Sequence, residues 1–305
     1  MSNPRRIVAG TTYLVTRRTT RRHFLLNPDR KRVLFAVYWY ATALLAAELG
    51  IEIHAVQILS NHMHEVLTDT RGQLPTFLQQ RNRLMANAIK ELLAWPGEVF
   101  SREGASVVAL YGDDAVVQKI GYTLANAVEA GLVARPEDWP GVTLAATDIG
   151  TRTIRVSRPK VYFDPENKRW PEAAEISITV PPSLEAHAGH EGARARIVAA
   201  VESAVEKARV TARRAGKVVR SAEWIFAVPH TTRATSYEKA GERNPSFAAG
   251  GNVELATMAA RVRAAFLGAY REALRAFHSG VRDVFFPNGT WRWARDLGVN
   301  VVSTT

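Results

Sequence analysis

The stretch IEIHAVQILSNHMHEVLTD, residues 51–69, decides the fold. Its first half, IEIHAVQIL, is apolar and β-branched and reads as a strand. The second half, NHMHEVLTD, follows almost at once and reads as the return arm of a hairpin. That arm spends two of the chain's eight histidines one residue apart, at His62 and His64. Side chains alternate across a strand, so these two imidazoles share a face and Met63 takes the other. Two imidazoles on one face of a core strand are costly to bury unless something binds them.

The flanking sequence extends the hairpin into a layered unit. RIVAGTTYLVTRR alternates and gives an earlier strand. NPDRKRVLFAVYWYATALLAAELG gives a helix, with Asn27 as N-cap, Pro28 at the first position and Gly50 as its stop. After the hairpin comes a second amphipathic helix, QLPTFLQQRNRLMANAIKELLAW, ended by Pro96-Gly97, then a short strand, ASVVALYG. A third helix, DDAVVQKIGYTLANAVEAGLV, opens on two acids that suit its dipole. The order βαββαβα specifies an α+β unit, a ferredoxin-like antiparallel sheet with helices on one face, over residues 1–150. Residues 151–305 form an α+β C-terminal extension rich in long helices. There TRTIRVSRPKVYFDPENKRWPEAAEISITVPP gives two or three strands around a turn, GARARIVAAVESAVEKARVTARRAG and VELATMAARVRAAFLGAYREALRAF give long helices, and VPHTTRATSYEKAGERNPSFAAGGN is loop-like. AAGGN lacks the lysine and the strand-to-helix setting of a phosphate loop.

Composition narrows the chemistry. The 305 residues contain no cysteine, which excludes disulfides, thiolate metal sites and cysteine nucleophiles. No apolar run has the length of a membrane span, and the N-terminus carries no apolar secretion signal, so the expected location is cytoplasmic. The net charge is +11, and it is clustered. Residues 1–32 hold Arg5, Arg6, Arg17, Arg18, Arg21, Arg22, Arg30, Lys31 and Arg32 against Asp29 alone. A block of this kind on a strand and its loop points to a polyanion, with nucleic acid the leading partner.

The third helix holds the rest of the candidate chemistry. Tyr122 and Asn126 are four residues apart and share a helical face, with Gln118 one turn earlier as a possible supporting residue. If this helix packs beside the hairpin strand, a divalent metal fits between His62, His64 and Asn126. Neutral imidazoles and an amide oxygen add no negative charge, so such a metal keeps its Lewis acidity for a phosphodiester oxygen. A phenol has an ordinary pKa of roughly 10 and is a poor nucleophile until it is activated or well placed. Its attack would leave a covalent phosphotyrosine and permit rejoining without ATP.

Several of these segments resemble one known family. SNHMHEVL is similar to the NHxH signature of the HUH single-strand nucleases, where a hydrophobic residue separates two metal-binding histidines. GYTLANAVEAGLVARPEDWPG resembles the tyrosine helix of the transposases of single-stranded insertion sequences, most closely the REP-associated tyrosine transposases. GTTYLVTRR, RRHFLL and IHAVQILSNHMH resemble them too, and the match spans residues 6–145. The C-terminal VRDVFFPNGTWRWAR resembles a tail of longer members. The resemblance implies the HUH nuclease fold and cleavage and joining of single-stranded DNA, often beside a hairpin, with Mg²⁺ or Mn²⁺. It implies Tyr122 as the nucleophile, His62, His64 and Asn126 as metal ligands, and DNA contact by Arg17, Arg18, Arg21 and Arg22. Monomer and homodimer both occur in such a family, some members swapping the tyrosine helix between subunits. Two positions depart from the pattern. Ala127 stands where the family has proline, and Glu65 stands where it has an aliphatic residue. Glu65 faces away from the histidines, which suggests a more exposed sheet face or a surface contact there.

Other polar and aromatic residues carry plainer expectations. His54 reads as structural, His187 and His190 as a solvated pair, and Tyr111 as a packing residue and reserve nucleophile. Tyr38, Trp39 and Tyr40 are partly core, as are Trp139, Trp291 and Trp293, with base stacking the alternative. Lys207, Arg209, Arg213, Arg214, Lys217 and Arg220 form either a solvated face or a phosphate track. Replication-initiator nucleases often carry a second tyrosine or a helicase phosphate loop, which this chain does not show, and relaxases place the tyrosine before the histidine pair. The rival outside catalysis is a domesticated hairpin-DNA binder or repressor on the same fold.

Overall fold

The structure, a computed structural model, describes residues 4–235 and 245–302. The first seven elements are β1 (Thr11–Arg18), α1 (Val33–Leu49), β2 (Ile51–Leu59), β3 (His62–Asp69), α2 (Leu74–Leu93), β4 (Ser106–Leu110) and α3 (Asp113–Glu129). This is the order the sequence specifies. The hairpin forms as expected, β2 against β3, and β1 pairs antiparallel with both β3 and β4. The helix after β1 starts later than the sequence suggested. Asp29, not Asn27, caps it: its two carboxylate oxygens accept the amides of Val33 and Leu34, each at 2.9 Å. Gly50 ends the helix as expected, with φ 68°.

The strand order is β2-β3-β1-β4-β7, with the two-residue β7 (Phe247–Ala248) added in parallel to β4 from the C-terminal half. Helices α1 and α2 pack together over one face of the sheet. Helix α3 lies across the opposite face, on β2 and β3. Both faces of β3 are therefore covered, and Glu65 is not at an exposed surface. It receives both guanidinium nitrogens of Arg81 and, at 2.6 Å, the hydroxyl of Tyr38. All three side chains are fully buried. Burial opposes the Arg81 charge, but Glu65 and Tyr38 more than offset it and hold its pKa above the ordinary value.

The remaining elements are β5 (Thr153–Ser157), β6 (Ala173–Ser177), α4 (Pro182–Arg214), α5 (Ala222–Ala227), α6 (Val253–His278), β8 (Phe285–Phe286), α7 (Arg292–Leu297) and β9 (Asn300–Val301). The β5–β6 hairpin packs on α1, and α4 runs along α3. Ile154, Ile176, Leu184, Ile197 and Val201 join the same buried cluster as the sheet. Phe266, Tyr270, Phe286 and Val299 make a second, smaller cluster. The expected loop from residue 228 to residue 252 lies partly outside the described residues. Among the described residues, no helix is long and apolar enough to cross a membrane.

Close approach of α3 and α4 depends on Gly121. A Cβ there would sit 3.0 Å from the Ala200 carbonyl and 3.2 Å from Ala204 Cβ. Its neighbour Tyr122 is thus held at a fixed height above the sheet.

Candidate active site

Strand register builds the site from one side. His64 is opposite Thr16 on β1, and His62 is opposite Arg18. Thr16 Oγ1 lies 2.8 Å from His64 Nδ1. His62 Nδ1 lies 2.6 Å from Asn61 Oδ1, an oxygen that only accepts, so Nδ1 carries the proton. Each imidazole is held through Nδ1, and with that nitrogen protonated Nε2 is the ligating atom, the usual arrangement of a metal-binding histidine.

Helix periodicity builds it from the other side. Asn126 Oδ1 stands 3.1 Å from His62 Nε2. With the His62 proton on Nδ1, two acceptors face each other across that gap. A cation, a second ring proton or the Asn126 amide turned to present Nδ2 each satisfies that contact, and the first makes the pair two ligands of one metal. Tyr122, one turn earlier on α3, sets its ring 5.2 Å from that of His64, at 75°. The His62 and His64 rings are 4.9 Å apart at 83°. The donor set of two imidazoles and an amide oxygen suits a divalent cation. Among the described residues, no group of three or more His, Asp or Glu side chains is placed to hold one.

Electrostatics favour a neutral site. Burial pushes the His64 pKa well below its ordinary value, and His62, Arg18 and Lys119 push it further down. His64 is thus a neutral imidazole near pH 7, the form that ligates metal. Tyr122 is 38% exposed. Burial raises its phenol pKa, Glu129 adds to the rise and Arg18 opposes it. The Lys119 ammonium lies 5.5 Å from the centre of the same ring.

No family model matches this chain, and no curated protein matches it. Solved structures do. The chain resembles a REP-associated tyrosine transposase. That protein, determined bound to a REP hairpin, is 21% identical, with a TM-score of 0.39, over 46% of this chain and 81% of the other. A protein described as a "putative transposase" from Deinococcus radiodurans R1 is 19% identical, with a TM-score of 0.27, over 35% of this chain and 85% of the other.

His62, His64, Tyr122 and Asn126 meet within one chain, on the sheet face under α3. Arg18 joins them across the strand from His62. Arg17 does not, because it is opposite Met63 and so takes the other sheet face. Its guanidinium lies 5.2 Å from the Phe100 ring, and its Nε and Nη1 meet no acceptor among the described residues. Burial lowers its pKa, and the neighbouring Arg5 and Arg81 charges add to that. Arg21 and Arg22 turn the chain after β1 with φ 47° and 59°, and Arg22 lines a cavity beside His62. Gln118 is exposed and donates to the Gly250 carbonyl at 3.0 Å, tethering α3 rather than touching the histidines. Ala127 is buried within an uninterrupted helix, so the missing proline leaves Asn126 in place.

Thr16, Asn61 and Lys119 escaped the sequence reading. Thr16 left a faint signal, since Thr12, Thr16 and Arg18 make one face of β1 polar. Asn61 stood in plain view beside His62. His54 is structural: it is fully buried, 2.9 Å from the Thr179 carbonyl and 2.8 Å from Thr68 Oγ1. Tyr38, Trp39 and Tyr40 are fully buried, and Trp139 donates to the Ile58 carbonyl at 2.7 Å. Tyr111 packs edge-on against Phe247. His187 contacts Asp113, and His190 contacts Glu185, each at the surface. Lys217 caps the Glu129 carbonyl at 2.7 Å, and Arg209 donates to the Ala134 carbonyl at 3.1 Å, so part of the basic helix face is spent on the fold.

Proposed function

We propose that this chain is a tyrosine transposase that cleaves and rejoins single-stranded DNA, next to a hairpin, through a 5′-phosphotyrosine on Tyr122. One observation carries the reading. An exposed phenol edge lies against His64 while His62 Nε2 and Asn126 Oδ1 approach to 3.1 Å beside it. His62, His64 and Asn126 would hold the metal. A bound Mg²⁺ or Mn²⁺ supplies Lewis acidity and a template for a phosphate oxygen.

The side chains account for the remaining steps. Tyr122 Oη attacks the phosphorus in line, the P–O3′ bond breaks, and O3′ leaves as a free hydroxyl once protonated. The 5′ phosphate stays esterified to Tyr122. In the reverse step a 3′ hydroxyl attacks the same phosphorus and releases the tyrosine, so no nucleotide cofactor is needed. The raised phenol pKa means the proton leaves during attack, passing to solvent water, which returns one to O3′. Arg18, the cation that opposes the rise, stabilises the phenolate and the phosphate together. In this reading residues 1–150 carry the chemistry, residues 151–305 assist in holding DNA, and the protein works as monomer or homodimer in the cytoplasm.

The test is direct. Wild-type protein incubated with a single-stranded hairpin oligonucleotide and Mn²⁺ should give a covalent adduct that survives denaturing electrophoresis. The Tyr122→Phe variant should bind the oligonucleotide and give none. If the wild type shifts the band but forms no adduct, the chain is a hairpin-DNA binder on a nuclease fold.

A further inference from the structure

Two cavities meet at Tyr122. One, of about 640 Å³, runs over the outer faces of β1 and β4. The other, of about 560 Å³, runs past the turn between β2 and β3. Arg18, His64 and Tyr122 line both. A small ligand needs one recess beside a nucleophile. A polynucleotide held by an internal phosphate needs an exit on each side, because its chain continues both ways.

Elements beyond residue 150 wall both exits. In the first cavity α6 supplies Ala259, Val262, Arg263 and Phe266. Arg5, Arg6, Lys119 and Arg263 line it against one acid among the described residues, Glu103. In the second, α5 and the segment after it supply Trp224, Ile225, Val228 and Arg233, and no acidic side chain among the described residues lines it. This second wall is firmly attached. Asn27 Nδ2 donates to the carbonyls of Ile225 and Val228 at 2.7 and 3.2 Å, and the Phe24 amide donates to the Thr232 carbonyl at 2.9 Å. His23 Nδ1 donates to the Thr231 carbonyl at 3.0 Å, and its Nε2 accepts Arg233 Nε at 3.0 Å, which fixes the guanidinium. Trp224 is 45% exposed, with the Arg220 guanidinium 4.6 Å from its ring centre. An exposed indole in the same cavity as a fixed arginine supplies a stacking surface for an unpaired base and a contact for its phosphate.

We propose that the C-terminal half clamps the single strand on both flanks of the cut, α6 with Arg263 over one flank and α5 with Trp224 and Arg233 over the other. The proposal rests on Tyr122 being the point of attack. It assigns separate flanks to two elements that are distant in sequence, joined by the continuity of both cavities with the site and by the sign of their charge.

The full-length Tyr122→Phe protein provides a binding-only background. Its probe is a hairpin oligonucleotide with single-stranded arms of about ten nucleotides on each side, a span one single-strand binding fold covers. The arms are shortened separately, and affinity is read by fluorescence anisotropy. Arg263→Ala and Trp224→Ala should each weaken binding about tenfold, each on a different arm, and each loss should vanish once its own arm is removed. Arg263→Ala should also reduce the slope of log affinity against log salt by about 0.7, the value for one phosphate on a single strand. Arg263 is exposed and Trp224 half-exposed, and thermal melting of both variants checks that the fold is intact. The clamp is refuted if neither variant changes affinity, if both lose the same arm, or if the probe does not bind. Adduct formation by the corresponding Tyr122 proteins separates the two readings. Adduct without arm dependence sinks the clamp alone, and arm-dependent binding without adduct sinks the nuclease alone.

Discussion

His62 and Asn126 show what a single pair of atoms can decide. Nε2 of the one and Oδ1 of the other are 3.1 Å apart, close enough for both to bind a single divalent cation. Asn61 holds the His62 ring in this position and Thr16 holds that of His64. Replacing Thr16 with Val keeps the shape of the side chain but removes the contact at His64 Nδ1. Mn²⁺ affinity of the Thr16→Val protein, measured by titration calorimetry, should fall about 10- to 100-fold, the usual effect of losing a partner behind a metal-binding histidine. Unchanged affinity would mean that Thr16 does not orient His64. At this scale the sequence was most legible where a period is fixed. Two residues on a strand and four on a helix share a face whatever the tertiary fold, so His62 with His64 and Tyr122 with Asn126 were readable. Arg81 was not. Its pairing with Glu65 joins α2 to β3 across the core, and nothing local in either segment signals it. The same lack of long-range information hid the half-buried placement of Arg17 on the far face.

Elements set the distances between such residues. Helix α3 carries Tyr122 and Asn126, and its height over β3 is fixed by contact with α4 at Gly121. A larger side chain there meets the Ala200 carbonyl, which is backbone and cannot swing aside. Gly121→Val should cost about 1–3 kcal/mol of stability, as overpacking does. It should also reduce adduct formation more than tenfold at a temperature where the protein stays folded, because a shift of about 1 Å at a nucleophile is enough. Calorimetric melting beside the adduct assay measures both. An intact adduct rate in a destabilised protein would show that α3 is seated by the sheet alone. Sequence located each helix but not each end. Asn27-Pro28 has the form of a helix start, yet the chain makes one more turn before Asp29 finds the amides of Val33 and Leu34. An amide and an acid two positions apart compete for the same capping role, and tertiary packing chooses between them. The contribution of α6 to the active-site cavity was beyond sequence altogether, because about 130 residues separate it from Tyr122.

The whole molecule adds a dependence on pH that no local site reveals. His54 lies at the register shift between β2 and β3 and joins the sheet to Thr179 in the C-terminal half. Complete burial lowers its pKa from 6.5 to about 4, with the Thr179 carbonyl partly opposing the shift. The sign follows from which state holds the proton. Between pH 6.5 and 4 the unfolded chain is protonated at this histidine and the folded chain is not, so acid favours unfolding. The contribution of His54 to stability is full above pH 6.5. It falls by about 1.4 kcal/mol per pH unit through the window and levels off below pH 4. Urea unfolding of the wild type and of His54→Gln, both in chelator, isolates this residue, because His64 titrates with the same sign in both proteins. The wild-type stability should fall more steeply between pH 6 and 5, by close to one proton's worth of slope, whatever the offset between the two proteins at pH 7.5. Parallel slopes would mean that the His54 cavity admits water or a counter-charge. The sheet and the C-terminal half would then be joined less tightly there than the contact between His54 and Thr179 implies.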